Sequence, residues 1–548
     1  MDCGRTYSSH ARRSVRCRTD TAGAGGGAAT AMRPVIVSIR AALLALLLAG
    51  CGGGGGNTGA ASAPPGPVRG TLLQDPAQLV DTVSPIDLLL QLGGVSSQPV
   101  LALIGAPLCD IAVFHIEYHT VGGRDEATTA SGALMVPAGA DARCHGARPI
   151  VLYAHGTSTN KAFNIADLRD ARNGEGLLLA AVFASQGYIV VAPNYAGYDT
   201  SMLGYHPYLD ADQQSKDMID ALSAARRALP SAGLRLTTDD GRLFLTGYSQ
   251  GGYVAMATQR AMQAAGMTVT AAAPMSGPYA LAAFFDAVVG GQVDGGAPVV
   301  ATMLITGYQQ AYGNIYTQTT DLFESPYAGD VEFLLPGLVP RSQLYAEGKL
   351  PQYALFNAVP PDPSDADITP ATQPAFFAPV FALGFGSGNL LTNDFRARYL
   401  ADAQASPDGG WPVITTGTPA ASSRLGLRQA LIQNDLRNWS PAAPTLLCGG
   451  DGDPQVFWLN AQLMQNYWNT RAPAVTVFSV LDLDAPVTAT DPYGTWKAGF
   501  STAKLAVAAL AIQQGASDGG TAAVFEAYHA TLVAPFCLAA VRAFFAAH

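Results

Sequence analysis

The stretch "GRLFLTGYSQGGYVAMATQR", residues 241–260, decides the fold. An apolar run climbs to Gly247-Tyr248-Ser249-Gln250-Gly251, and a helix-like run descends from it. The centre has the form G-x-S-x-G, which chance alone supplies about 0.3 times in a chain so rich in Gly and Ser. The five letters therefore need support from their surroundings. Strand before and helix after are the context in which such a serine projects from a tight, strained turn, with the N–H of Gln250 at the helix start facing a developing oxyanion.

Outward from this stretch, short apolar strands alternate with amphipathic helices. Upstream, "PIVLYAHGT" (149–157) and "IVVAPNY" read as strands, with "LLLAAVFASQGY" and "SKDMIDALSAARRAL" as helices. Downstream, "MTVTAAAPMSG" reads as another strand. The alternation predicts a mostly parallel sheet covered by helices on both faces, whose sites form at the carboxyl ends of the strands. Before it, "DIAVFHIEYHT" (110–120) and "ASGALMVP" (130–137) form two further strands around the turn-rich "VGGRDE".

From about 280 to 440 the rhythm lapses into apolar segments broken by Pro and Gly, which reads as an inserted cap. At "APTLLCGGDGDPQV" it returns, followed by a helix "FWLNAQLMQNYWN" and a strand "AVTVFSVLDL". The expected organisation is a leader (1–50), a flexible linker (51–70), the first part of the core (71–279), the cap (280–440) and the second part of the core (441–548).

A serine hydroxyl becomes a nucleophile when a base removes its proton, an anion orients the base and donors receive the oxyanion. The upstream donor is expected after "VLYAH", from the N–H of Thr157 or, second, Ser158. The anion is expected in "PTLLCGGDGDPQVFW" as Asp453, with Asp451 shaping the turn and Asp482 and Asp484 in reserve. Beyond Asp453 only His529 and the terminal His548 remain, and His529, read as lying in a loop before the last helix, is the expected base. His115, Glu117 and His119 share one strand face as a metal site would, but they lack a further ligand, and a solvated face is the reading adopted.

These parts resemble the α/β-hydrolase superfamily over about residues 100–280 and 440–548. Within it, "GYSQGG", "APMSGPYAL" and the long apolar insertion resemble secreted esterases and lipases of the secretory-lipase type. The resemblance implies Ser249, Asp453 and His529 as a triad, Gln250 and Thr157 as oxyanion donors, and no metal or organic cofactor. The expected activity is that of a serine ester hydrolase acting through an acyl-enzyme on apolar carboxylic esters, small or polymeric; a serine peptidase of the same superfamily and a non-catalytic binding lipoprotein are the alternatives.

Arg33 and Arg40 precede the apolar block 41–49, which ends at "LAGC" and resembles a bacterial lipoprotein box with Cys51 as the lipidated residue. Export and a lipid anchor to the cell envelope, or secretion, are expected, and the anchor is the expected contact with a membrane. Setting aside the seven Arg and two Asp before Cys51 leaves 24 basic against 39 acidic residues, a formal charge of −15. That charge opposes nucleic acid as a partner. Four cysteines remain in the body, and an exported chain is expected to pair them as Cys109 with Cys144 and Cys448 with Cys537.

Overall fold

The computed structural model describes residues 67–95, 103, 105–170, 172–231, 237–471 and 477–548. These lie in one compact unit that runs from Pro65 to His548. The leader, Cys51 and nearly all of the linker fall outside the described residues.

Among the described residues nine strands form one sheet: β1 (Gln78–Val83), β2 (Asp110–Val121), β3 (Ala127–Ala138), β4 (Gly146–Ala154), β5 (Ile189–Pro193), β6 (Thr237–Tyr248), β7 (Ala271–Met275), β8 (Thr445–Gly449) and β9 (Phe478–Asp482). Their spatial order is β1-β2-β3-β5-β4-β6-β7-β8-β9. The first three and the β3–β5 contact are antiparallel, and every later contact is parallel. β5, β7 and β8 are buried at every residue, as strands covered on both faces must be, which is why they read as unbroken apolar runs.

The helices that cover the sheet or follow it are α1 (Pro85–Val95), α2 (Gly174–Val182), α3 (Ala211–Ser231), α4 (Gln250–Ala264), α5 (Leu281–Val289), α6 (Ala297–Tyr312), α7 (Asn393–Ala405), α8 (Gly426–Gln433), α9 (Leu459–Arg471), α10 (Gly494–Gln513), α11 (Thr521–Ala527) and α12 (Ala534–Ala546). Two core clusters pack against opposite sides of the sheet: Leu152, Val191 and Leu245 belong to one, and Val151, Val190 and Phe244 to the other. Neighbouring residues fall into opposite clusters because a strand's side chains alternate across it.

Between β7 and β8 every named element is helical. This segment contains fully buried charge. Arg437 bridges Asp408 and Asp435 with all three side chains wholly buried, and Arg428 bridges Asp286 and Asp402. Each guanidinium makes paired contacts to carboxylates, the geometry that offsets the cost of removing the charges from water.

The last helical run differs from the expected loop plus helix. Residues 521–546 are continuous: α11 passes through a π-helical turn, Tyr528–Val533, into α12. Pro535 in the first turn of α12 has no N–H for the preceding turn, and its ring crowds the carbonyl there, so the helix widens locally instead of breaking. This run is long and apolar enough to cross a membrane, yet 67% of its most apolar stretch is buried within the protein, and it packs as a core element.

The four cysteines of the body form two disulfides, Cys109–Cys144 and Cys448–Cys537. The second joins the end of β8 to α12.

Candidate active site

Ser249 sits between β6 and α4 with φ 60° and ψ −122°, a backbone conformation that costs a β-substituted residue on the order of 1–3 kcal/mol. Its neighbours make the turn possible by having no side chains. A Cβ on Gly251 would lie 1.9 Å from the Ala154 carbonyl oxygen, and one on Gly252 would lie 2.2 Å from that of Met275. The elbow is thus pressed directly onto the adjoining strand ends. The Ser249 N–H donates to the Met275 carbonyl at 3.0 Å, which fixes the turn against β7.

His529 lies in the π turn and reaches both expected partners. Its Nε2 is 2.8 Å from Ser249 Oγ, and its Nδ1 is 2.7 Å from Asp453 Oδ2. Asp453 cannot donate when ionised, so Nδ1–H donates to it and Nε2 is left to accept from the serine hydroxyl. The other carboxylate oxygen, Oδ1, accepts from the N–H groups of Gln455 and Val456 at 3.0 and 3.1 Å. Asp453 and His529 are both buried, so this chain of bonds is little screened by water.

The remaining acids of this region have other partners. Asp482 accepts from the Asp451 N–H at 3.0 Å, and Asp484 accepts from the Gly452 N–H at 2.9 Å. Asp484 also bonds the Tyr528 hydroxyl and Lys504, while Tyr528 receives the Gly452 N–H at 3.2 Å. Asp484 and Tyr528 therefore tie the turn that carries Asp453 to the helix that carries His529. Tyr248, the residue before the serine, adds a hydrogen bond from its hydroxyl to the His529 carbonyl.

On the other side of Ser249, Gln250 and Thr157 line the same cavity. The Gln250 side chain is held by His206, whose Nδ1–H donates to the Ala196 carbonyl at 2.9 Å and whose Nε2 accepts from the Gln250 amide at 2.8 Å. Burial depresses His206 to about 3, which keeps the ring neutral and able to accept. The Thr157 loop is held twice. The Thr157 hydroxyl meets the Tyr208 hydroxyl at 2.7 Å, and the Gly156 N–H donates to Glu175 at 3.0 Å. Glu175 also accepts from Tyr153 at 2.7 Å, and burial pushes its carboxyl up.

The cavity around Ser249 has a volume of about 830 Å³. Apolar side chains of α5 and α6, among them Phe284, Phe285, Val288, Val300 and Leu304, form one wall. Thr157, Ser158, Asn160, Asn164, Glu175 and Arg341 add polar groups to the lining. The segment between β7 and β8 thus supplies a large part of the surface that a bound molecule would touch.

His115 points elsewhere. Its Nε2 is 2.7 Å from Asp199, which also accepts from Ser131 at 2.6 Å. No group of three or more metal-ligating side chains occurs among the described residues. Sequence reasoning missed Glu175, His206, Tyr208 and Tyr528, which act on the site through contacts between distant segments; no local pattern marks them.

The disulfide Cys448–Cys537 links the strand leading to Asp453 with the helix that follows His529. Replacing both cysteines by serine is expected to lower unfolding free energy by roughly 4 kcal/mol, from a freed loop of this length. Urea titration of the double variant measures it, and an unchanged midpoint would remove the disulfide from the account of stability.

Residues 178–279, from within α2 to just past β7, match the prolyl oligopeptidase family. No curated protein matches the chain. Among solved structures, the rice cell wall degrading esterase LipA from Xanthomonas oryzae is 28% identical, with 76% of this chain and 91% of that chain covered and a TM-score of 0.58. A ligand-bound form of the same esterase aligns over 87% of this chain and 98% of that chain at 25% identity, TM-score 0.61. A Legionella pneumophila protein at 19% identity shares the fold, with 74% of this chain and 91% of that chain covered and a TM-score of 0.53. The sheet order, the strained serine turn and these likenesses place the chain among the hydrolases of the α/β-hydrolase superfamily.

Proposed function

We propose that the protein is an exported serine hydrolase of carboxylic esters, and that Ser249, His529 and Asp453 are its triad. The observation that carries the proposal is the unbroken bond sequence Ser249–His529–Asp453, with the serine in a strained turn that lines a largely apolar cavity. In the reaction, His529 Nε2 takes the hydroxyl proton as Ser249 Oγ attacks the ester carbonyl. The Gln250 and Thr157 N–H groups receive the negative charge that forms on the carbonyl oxygen. Asp453 stabilises the imidazolium, which then protonates the leaving alcohol. A water molecule, activated by the same histidine, releases the acid from Ser249.

The esterase neighbour and the apolar α5–α6 wall support esters as the substrates. The prolyl oligopeptidase match supports a second reading, a peptidase. That match covers the elbow and its flanking strands but neither the segment between β7 and β8 nor Asp453 and His529, so it carries little information on what enters the cavity. Export rests on the two disulfides, which need an oxidising compartment, and on the leader and Cys51 of the sequence. Lipidation at Cys51 and attachment to the cell envelope belong to the same proposal.

Turnover of p-nitrophenyl acyl esters is expected, with aminoacyl anilides left intact; cleavage of the anilides alone would sink the ester assignment. A fluorophosphonate should label the wild type and leave Ser249→Ala unlabelled. A folded wild-type protein that resists labelling would contradict the whole mechanism.

A further inference from the structure

Asp294 is a buried acidic side chain of the cavity lining that has no role in the mechanism above. Asp294 lies in the loop between α5 and α6, lines the cavity and is only 8% exposed. Its Oδ1 accepts from the Gly296 N–H at 2.9 Å, and its own backbone N–H is a second donor to the carboxyl. The loop is anchored beside the acid turn, because the Gly295 N–H donates to the Pro454 carbonyl at 3.2 Å. Asp294 is close enough to the triad that the charges of His529 and Asp453 act on it. A carboxylate offers about four acceptor sites, so these two donors leave Asp294 capacity for a donor that enters the cavity it lines.

We propose that Asp294 is a specificity-determining residue that accepts a hydrogen bond from a hydroxyl of the substrate, so that the cavity selects esters bearing a hydroxyl near the scissile bond. This rests on the ester-hydrolase reading. A hydroxyl fits better than an ammonium for two reasons. A fixed cation in this small volume would oppose the positive charge that develops on His529 during attack. Burial also pushes the Asp294 carboxyl up to about 7, so that near neutrality both its protonated and ionised forms are present. A hydroxyl can donate to either form, whereas an ammonium gains its full interaction only from the ionised one.

The test uses two matched pairs of esters: p-nitrophenyl 3-hydroxybutyrate against p-nitrophenyl butyrate, and 2-hydroxyethyl butyrate against ethyl butyrate followed by pH-stat. In at least one pair the wild type should favour the hydroxylated ester by about tenfold or more in kcat/KM, since a site built to bond a hydroxyl rejects the analogue that lacks it. Asp294→Leu should bring that ratio close to one, and because the ratio is taken within one variant, a general loss of activity cancels. No preference in either pair for the wild type, or a preference that survives in Asp294→Leu, would overturn the proposal. So would tighter selection of the aminoethyl ester than of the hydroxyethyl ester. The wild-type ratio decides by itself if the variant does not fold. Turnover of any of these esters that depends on Ser249 keeps the hydrolase reading intact whichever way the ratios fall.

Discussion

Replacing His529 by alanine is expected to lower kcat on a p-nitrophenyl ester by about 10⁴-fold or more, with a much smaller change in KM. His529 Nε2 is the group that meets Ser249 Oγ, at 2.8 Å. The flanking Tyr248 hydroxyl cannot take its place, because it donates to the His529 carbonyl and burial pushes its own proton affinity upward. Asp453→Asn should lose less than the histidine variant yet still orders of magnitude, because the amide can present a donor to Nδ1 and favour the wrong tautomer. Ser249→Ala combined with His529→Ala should be little worse than either alone, as groups that act as one unit behave. Steady-state kinetics on the three single variants and the double variant check the set. Near-normal turnover by His529→Ala would remove this residue from the mechanism.

The second large effect is expected from Gly251→Ala, the smallest change the elbow can suffer. The added methyl carbon would stand 1.9 Å from the Ala154 carbonyl oxygen and 2.5 Å from its carbon, both backbone atoms of the central strand β4. No rotamer relieves such a clash, so the helix α4 must move away from the sheet. Overpacking of this kind costs about 3 kcal/mol or more when the backbone itself obstructs. The displaced atoms carry Ser249 and the Gln250 N–H, and a shift on the order of 1 Å costs about 10²-fold in rate. Thermal unfolding and ester turnover should both fall together. Wild-type values in both would mean that the elbow is looser than its contacts imply.

The parallel strands were legible because burial on both faces leaves an unbroken apolar run, as in Ile189–Pro193 and Thr445–Gly449. Ser249 was legible because the turn it occupies needs small neighbours, and those needs are written in adjacent letters. Other parts were hidden for physical reasons. β1 is an edge strand with most of its residues exposed, so "QLVDTV" carries no buried periodicity. The wide sequence interval between Asp453 and His529 is filled by β9, α10 and α11, which the local pattern around either residue does not announce. His529 was read as lying in a loop before the last helix, while the fold carries the helix through it by way of a wider turn. Asp294 has no local signal in the sequence; its place inside the cavity depends on how α5, α6 and the acid turn meet in space.

The π turn at Tyr528–Val533 has a consequence for how this histidine could be gained or lost. Such a turn holds one residue more than a regular helical turn, and each helical residue advances the direction of its side chain by about 100°. Deleting one residue from the run between Thr531 and Pro535 would let the helix close into regular α geometry while α12, Cys537 and the core beneath it stayed in place. His529 would then swing away from Ser249 and Asp453 by roughly a quarter of a turn. The aim of the His529 ring is therefore stored as a single surplus residue in a helix, and the fold and the presence of the histidine can both survive a change that disconnects the two.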